Sequence, residues 1–346
     1  MLEDSCLIFL RLCLTRTTRR TSTYLVSRDF ESFGDLIILT LPSGAITYDP
    51  CIGSYDYVQS EVTTYPFIIE NNAMLGYNQS FLSQMEALDE TCGYAAYREK
   101  YFTFPPSDQQ PPTFFNYSSE ADLACDVAGL SYDAACNVNP CYNVYETGTQ
   151  CPLLSDPLGY PTGLLYSDPG LTPVYFDRLD VKTAMHAPPD IDWTECSNGD
   201  VFIADGGWGG PEQEGDLSPD PIQSVLPRVI EATNRVLIAN GQLDMIILTN
   251  GTLLSIQNMT WNGKLGFQQQ PSEPIVITLP DLQYGAVYAA NGEPGAEDPM
   301  GIMGVQHYER GLMWAETYLS GHMEPQFQPR SSYRHLQWLL GHIETL

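Results

Sequence analysis

Asp244 and His322 stand where a carboxylate and an imidazole could work as one unit. Asp244 lies three residues after Gly241 in Asn240-Gly-Gln-Leu-Asp244, and His322 directly follows Gly321. A Ser-His-Asp apparatus needs a carboxylate to fix the imidazole tautomer and to stabilise the imidazolium formed when the serine proton is taken. On chains that carry this apparatus on an open α/β sheet, the order is nucleophile, acid, histidine. Asp244 before His322 obeys the last two terms. Residue types alone carry little weight here, because the chain holds 43 acidic residues and five histidines, and a loop Asp is most often a turn or a helix cap. His186, His307, His335 and His342 lack a glycine-flanked strand-end setting and read as structural or surface residues.

Apolar periodicity supplies the elements that must position these two loops. Arg235 to Ala239 is a compact apolar strand ending at the Asn240-Gly241 turn, and Leu312 to Leu319 is a second strand ending at Ser320-Gly321. Before the first, Asp220 to Ile230 reads as an amphipathic helix with Ile222, Val225, Leu226, Val229 and Ile230 on one face. After the second, a closing helix from Pro329 to Ile343 is expected to bury Tyr333, Leu336, Leu340 and Ile343. Upstream, Leu36 to Leu41 and Ala45 to Tyr48 read as short buried strands around the Pro42-Ser-Gly44 turn. Residues 66–102 carry a helical pattern, with Phe81, Leu82, Met85 and Leu88 at helix spacing. Strand, polar loop, helix, repeated, predicts an α/β fold with an open sheet flanked by helices and functional groups at the carboxyl ends of its strands. From Phe104 to Pro189 the chain is rich in Pro, Tyr, Asp and Cys with little periodicity, which suits an irregular insertion.

Charge and cysteines bound the setting. A net charge of −28 argues against nucleic acid, whose binding needs Lys and Arg on phosphates, and fits work in an acidic or extracellular medium. Residues 1–28 carry a net +3 and the remainder −31, so the N-terminal stretch stands apart. It fails as a signal peptide, because Glu3 and Asp4 lead it and Arg11 breaks its apolar run. A transit peptide and a misassigned start both stay open. No stretch approaches the ~20 apolar residues of a membrane span. Cys51, Cys92, Cys125, Cys136, Cys141, Cys151 and Cys196 follow, four of them within residues 125–151. Without a C-x-x-C pair or a His in that cluster, disulfides among the first six are expected rather than zinc. Four sequons, at Asn78, Asn116, Asn250 and Asn258, point with the cysteines to an oxidising, glycosylating compartment and to N-linked glycans. The acidic run Glu212-Gln-Glu-Gly-Asp216 lacks ligand spacing, so neither a metal nor another cofactor is expected.

The ordered motifs resemble the serine carboxypeptidase family. Asn240-Gly-Gln-Leu-Asp244 resembles its G-D-x-D element, and Gly321-His-Met-Glu-Pro325 its G-H-M-V-P motif, followed by Gln328-Pro329. Asn250-Gly-Thr252, Trp261-Asn-Gly263, Asn143-Val-Tyr-Glu146, Pro173 to Asp177 and Val181 to His186 fall in the family's order. The likeness runs from about Leu36 to Leu346. It departs at Gln242, where an acid is common, and at Glu324, which replaces Val. The resemblance implies an α/β-hydrolase fold with N-terminal strands missing. It divides the chain into a non-homologous residues 1–35, a first sheet segment 36–103, a cysteine-rich lid 104–189 and a C-terminal segment 190–346. By the same resemblance Asp244 orients the imidazole, His322 is the general base and Met323 lines the substrate pocket. The substrates would be peptide or protein C-termini, in a secreted or vacuolar location.

The family's nucleophile sits in G-E-S-Y-A-G on a strand-to-helix elbow, about thirty residues before the strand matched by Ala45 to Tyr48. Counting back reaches Leu14-Thr-Arg-Thr-Thr-Arg19, which lacks the small residues that the elbow needs. No G-x-S-x-G occurs in the chain; its nearest imitation, around Ser131, lies in the insertion, and Ser54 follows the Asp49-Pro50 turn. The family's cysteine equivalent to Cys196 pairs near the N-terminus, so Cys196 is expected to stay unpaired. The expectation is therefore a carboxypeptidase chain lacking its serine and inactive alone, cut short in its gene model or by descent. A non-catalytic secreted glycoprotein, serving as a binding module on the same fold, is the alternative.

Overall fold

The computed structural model describes residues 44–151, 175–193, 219–278 and 301–346. The Leu36–Leu41 strand, residues 1–35, Cys196 and the Glu212 to Asp216 run lie outside the described residues. Within them the strands are β1 (Ala45–Tyr48), β2 (Val236–Gly241), β3 (Thr260–Trp261), β4 (Lys264–Leu265), β5 (Glu273–Ile277), β6 (Gly301–Glu309) and β7 (Leu312–Thr317). β3 and β4 form a small hairpin, and the others make one sheet in the order β1-β2-β7-β6-β5.

β2 sits between β1 and β7 and is buried along its whole length. Burial on both faces explains its continuous apolar run, as in parallel sheets covered by helices on each side. Val236, Ile238, Leu312 and Trp314 pack to one face with Ile52, Ile230 and Phe267. Leu237, Ala239, Met313 and Ala315 pack to the other with Ile275, Ile277 and Trp338. β1, β2 and β7 are parallel, with Ala239 opposite both Tyr48 and Ala315. Their carboxyl ends therefore open onto one edge, and Asp49, Asp244 and His322 all follow that edge. The parallel part accords with the expected open sheet, whereas the antiparallel β5 and β6 at its far side were not foreseen.

Three local expectations are corrected. Asp220 to Ile230 is not one helix: Pro221–Gln223 makes a single tight turn, and the α-helix runs only over Val225–Thr233. Asp220 Oδ1 accepts from the Ile222 and Gly53 amides at 3.1 and 3.0 Å, fixing that turn, and Val225 faces out at 52% exposure. The closing helix, Pro329–Leu339, buries Ser331, Ser332, His335 and Trp338, while Tyr333 and Leu336 are only half-buried. Arg235 selects that face by stacking its guanidinium 4.9 Å from the Trp338 ring and donating to the Trp338 carbonyl. Finally, the insertion contains a regular helix, Val127–Val138. Asp126 caps it by accepting from the Gly129 amide at 2.6 Å, and Glu61 Oε2 accepts from the Val127 and Ala128 amides at 2.8 and 3.2 Å. Acceptor oxygens from these two acids satisfy N–H groups that the first turn of the helix leaves unpaired. Small and polar residues hide the period of this helix in the sequence.

The cysteine expectation is half corrected. Cys92–Cys125 and Cys141–Cys151 are disulfides, with Cα separations of 5.8 and 5.4 Å. Cys51 and Cys136 are free thiols. Cys51 follows the end of β1 beside the Asp244 loop, and Cys136 sits on the Val127–Val138 helix against tyrosines. Among the described residues neither is carried to a partner sulfur.

One buried side chain ties the helical layer to the strand ends. Gln59, on a wide-turned helix over Tyr55–Glu61, donates to Pro50 O at 3.0 Å and to Thr252 Oγ1 at 2.9 Å. Its Oε1 accepts from the Ile52 amide at 3.0 Å, and Asn240 Nδ2 donates to the same Thr252 hydroxyl oxygen at 3.1 Å. Gln59→Leu would leave the Pro50 carbonyl and the Ile52 amide buried and unpaired, at about 1–3 kcal/mol each. The variant should therefore unfold at a clearly lower urea midpoint than the wild type, with an unchanged slope. Peptide mapping offers a separate check of the covalent structure: alkylation in denaturant without reductant should mark Cys51 and Cys136 but none of the four bridged cysteines. Recovery of Cys51 or Cys136 in a disulfide-linked peptide would contradict the fold described here.

Candidate active site

The acid loop leaves β2 at Gly241 and is stitched to the loop after β7. Gln242 N donates to Thr317 O at 3.0 Å and Leu243 N to Ser320 O at 2.8 Å. The two backbones press together so closely that a Cβ on Gly241 would lie 2.3 Å from Gly321 O. Only glycine permits that approach. Asp244, wholly buried, accepts from the Ile246 amide at Oδ1, 2.8 Å away. Its Oδ2 lies 2.7 Å from His322 Nδ1. With Nδ1–H donating to the carboxylate, the tautomer places the second nitrogen, Nε2, as the proton acceptor.

A strap from the insertion crosses both loops. Met245 N donates to Val144 O at 2.9 Å, Thr147 N to Leu243 O at 2.9 Å and His322 N to Tyr145 O at 2.7 Å. The Tyr145 ring lies 5.2 Å from the imidazole, tilted by 54°.

Carboxyl groups crowd this edge. Asp49 Oδ1 accepts from the Gly241 amide at 2.9 Å and from Asn240 Nδ2 at 3.1 Å, bracing the start of the acid loop. Burial, with the nearby charges of Asp244 and Glu324, holds the Asp49 carboxyl well above the usual range. Burial above all pushes Glu324 up to about 8, opposed by the Thr317 hydroxyl and reinforced by the charge of Asp244. Glu146 is pushed up to about 7 by burial, opposed by the Gly148 and Gly321 amides and reinforced by the charge of Asp244. His335, wholly buried 3.9 Å from Glu324 Oε2, is pushed down to about 3 by burial. Burial likewise raises the Cys51 thiol to about 12, with Asp244, Asp56 and Asp49 adding to it, so this cysteine is a poor nucleophile. Asp49, Asp244 and His322 bring ligand-type atoms within 4.8 Å of one another. Nδ1 faces Asp244 and one Asp49 oxygen already accepts two N–H groups, so the arrangement serves hydrogen bonds rather than a cation.

The remaining candidates fall elsewhere. Met323 is half-buried at the head of the short Glu324–Phe327 helix, next to the imidazole. Ser131 is wholly buried within its helix and lies 3.0 Å from the Tyr77 hydroxyl. Ser54 Oγ donates to Thr113 O at 2.7 Å. Neither stands on a strand-to-helix elbow. Asn78 is exposed and caps the Gln79–Thr91 helix through the Phe81 amide at 3.0 Å. Asn116, Asn250 and Asn258 are half-exposed. His307 pairs with Glu309 at 3.2 Å, and His342 is exposed beside Gln337. Asp49, Glu146 and Glu324 were not picked out as site residues, although the Asp49-Pro50 turn after β1, the Asn143-Val-Tyr-Glu146 motif and the Glu324 departure each marked one of them.

Comparison with known proteins fits this geometry. Residues 43–342 match the family model for serine carboxypeptidase. Among curated relatives, the serine-type carboxypeptidase F of Aspergillus niger is 58% identical over 304 residues, covering 88% of this chain and 56% of the relative. A probable serine carboxypeptidase of Arthroderma benhamiae is 39% identical over 300 residues, covering 86% and 52%. The chain thus spans about half the length of these relatives. A solved structure of Kex1(Δ)p, a prohormone-processing carboxypeptidase from Saccharomyces cerevisiae, superposes with a TM-score of 0.51 at 17% identity, over 86% of this chain and 54% of that one. That likeness speaks for the fold alone, an α/β-hydrolase-like sheet with flanking helices. Strand order, loop geometry and sequence agree, and the chain belongs to the serine carboxypeptidase family.

Proposed function

We propose that this chain carries the acid–base part of a serine-type carboxypeptidase acting on C-terminal peptide bonds. The observation behind it is the 2.7 Å contact between Asp244 Oδ2 and His322 Nδ1 at the ends of two parallel strands. In this reading Nε2 takes the proton of a serine hydroxyl as its oxygen attacks the scissile carbonyl. It then returns that proton to the departing amine, and water repeats the sequence on the acyl-enzyme. Asp244 stabilises the transient imidazolium, and Met323 lines the pocket beside it.

The serine itself is not among the groups proposed. No G-x-S-x-G occurs in the 346 residues, and Ser131 and Ser54 are both engaged elsewhere. On this reading the chain alone does not complete the acyl-transfer apparatus. The same observation favours a second reading, a non-catalytic binding module on this fold, for which a C-terminal peptide would be held without cleavage. The division into segments 36–103, 104–189 and 190–346 belongs to the same proposal. So do peptide C-termini as partners and glycans on Asn78, Asn116, Asn250 and Asn258. Two disulfides support an oxidising compartment, secreted or vacuolar. Among the described residues no helix is long and apolar enough to cross a membrane.

Two measurements test this proposal. A serine-directed fluorophosphonate should leave the chain unlabelled, and a blocked dipeptide should not be hydrolysed. Stoichiometric labelling abolished by His322→Ala would mean that a working serine is present after all. Independently, Asp244→Asn should lower the titration midpoint of the His322 ring by about one unit or more, read by NMR; an unmoved midpoint would remove the acid–base pair.

The buried carboxyls also predict a pH dependence of stability. Glu146 and Glu324 are raised to about 7 and about 8, and Asp56 and Glu316 to about 6 and about 7, in each case chiefly by burial. Raised folded-state values mean that their contribution is intact below the unfolded carboxyl range and is lost as pH rises through about 6 to 8. His335, depressed to about 3, works the other way, losing its contribution as pH falls below the unfolded imidazole range. Four carboxyls outweigh one histidine, so the urea midpoint should be higher at pH 5 than at pH 8. The opposite order would refute this account of their burial.

A further inference from the structure

The strap over the two loops is more than a cover. Asn143 fixes its turn, accepting from the Tyr145 amide at Oδ1, 3.0 Å away, and from the Glu146 amide at its carbonyl, 3.1 Å away. The strap then bonds the acid loop on both sides, through Val144 O and the Thr147 amide, and receives the His322 amide at Tyr145 O. Its closest approach is at Gly321. A Cβ built there would lie 2.0 Å from Tyr145 O, 2.7 Å from Glu146 Oε2 and 3.0 Å from Glu146 Cα. The absence of a side chain at 321 is what lets the Glu146 carboxyl lie against the peptide that carries the imidazole.

That carboxyl is poorly explained by packing. Glu146 is 8% exposed, and its Oε1 accepts only a long bond, 3.3 Å, from the Gly148 amide. Its Oε2 is buried and makes no hydrogen bond of full geometry, but it lies against the Gly321 peptide, whose amide offsets part of the burial. Burying an acid in this state is costly, and an apolar side chain would fill the space at lower cost. The charge it carries when ionised is directed at one place, the junction of the acid and histidine loops.

We infer that Glu146 is a positioning residue for His322, holding the Gly321 peptide so that the imidazole stays on Asp244 and adding to the negative field that an imidazolium there would feel. The inference rests on the proposed general-base role of His322. Among the described residues the titratable groups around this carboxyl are few. Asp244 faces it from the acid loop. Asp49, at the end of β1, and Glu324, on the helix after the histidine loop, face Asp244 in turn. Tyr145 packs tilted against the imidazole from the strap itself. The named neighbours are acids and a phenol, so removing one negative charge should make the imidazolium harder to form. At pH values where Glu146 is already neutral the effect should fade, since burial raises it to about 7.

The test is an NMR titration of the His322 ring in the full chain, with its signal assigned through His322→Gln. Glu146→Gln keeps shape and removes charge, and should lower the His322 midpoint by roughly half a unit or more. It should also speed solvent exchange of the Nδ1 proton that faces Asp244. A merely structural side chain would alter the melting temperature and leave the midpoint in place. An unmoved midpoint in Glu146→Gln, with a lowered one in Asp244→Asn, overturns this inference and spares the acid–base pair. Unmoved midpoints in both overturn the pair itself. Should Glu146→Gln not fold, Glu146→Asp carries the test, because it withdraws the charge by one methylene. A midpoint below wild type then supports the inference, and one equal to wild type overturns it.

Discussion

β2 and β7 pair in parallel with Ala239 opposite Ala315 and Gly241 opposite Thr317, and the geometry of the site follows from that register. Parallel pairing in this register brings both strands to an end at the same height. A polar loop leaving each strand then has only a few residues in which to turn, and each delivers one side chain of the Asp244–His322 pair. The opposed glycines, Gly241 and Gly321, let the two loops touch backbone to backbone. A slip by one residue would reverse which side chains face the helices and would move Gly241 away from the Gly321 carbonyl.

Around this junction the protein gathers acids rather than bases. Asp49, Asp244 and Glu324 are all buried, and Glu146 nearly so. Two of these acids are held by specific donors: Asp49 by the Gly241 amide and the Asn240 side chain, Asp244 by the Ile246 amide and the imidazole. Glu324 and His335 lack such donors of good geometry, although they approach to 3.9 Å. Their shifts run in opposite directions and both come chiefly from burial, so near neutral pH this pair sits uncharged. The departure from Val to Glu at position 324 is thereby accommodated at a fully buried position rather than at the surface.

Much of this was legible in the sequence because it depended on short-range pattern. The apolar run from Val236 to Ala239 and the Asn240-Gly241 stop marked β2, and the run from Leu312 marked β7. The family motifs added the order of acid and histidine. What escaped depended on tertiary choice. Trp338 and Arg235 turn the closing helix so that Ser331, Ser332 and His335 go inward, against its apolar pattern. The Val127–Val138 helix mixes Gly, Ala, Ser and Asn among its few large apolar residues, which blurs its period, and its first amides are held by Glu61 and Asp126. Free Cys51 and Cys136 looked like disulfide partners, because spacing says nothing about where side chains are carried by distant elements. Glu146 stayed hidden for the same reason: its meaning lies in a glycine far along the chain.

The strap, the acid loop and the histidine loop come from three distant stretches of sequence. Asp244 and His322 are separated by 78 positions, and Tyr142, at the start of the strap, reaches Met245 across 103. Contacts of such separation are entropically slow to close, so this edge should be among the last parts of the fold to assemble. It also follows that release of the strap is a smaller excursion than global unfolding, because β2 and β7 remain paired beneath it. The alignment of the imidazole is then a local equilibrium, with its own opening rate, superimposed on a stable sheet. Amide exchange at His322, whose N–H is held by Tyr145 O, reports that opening directly.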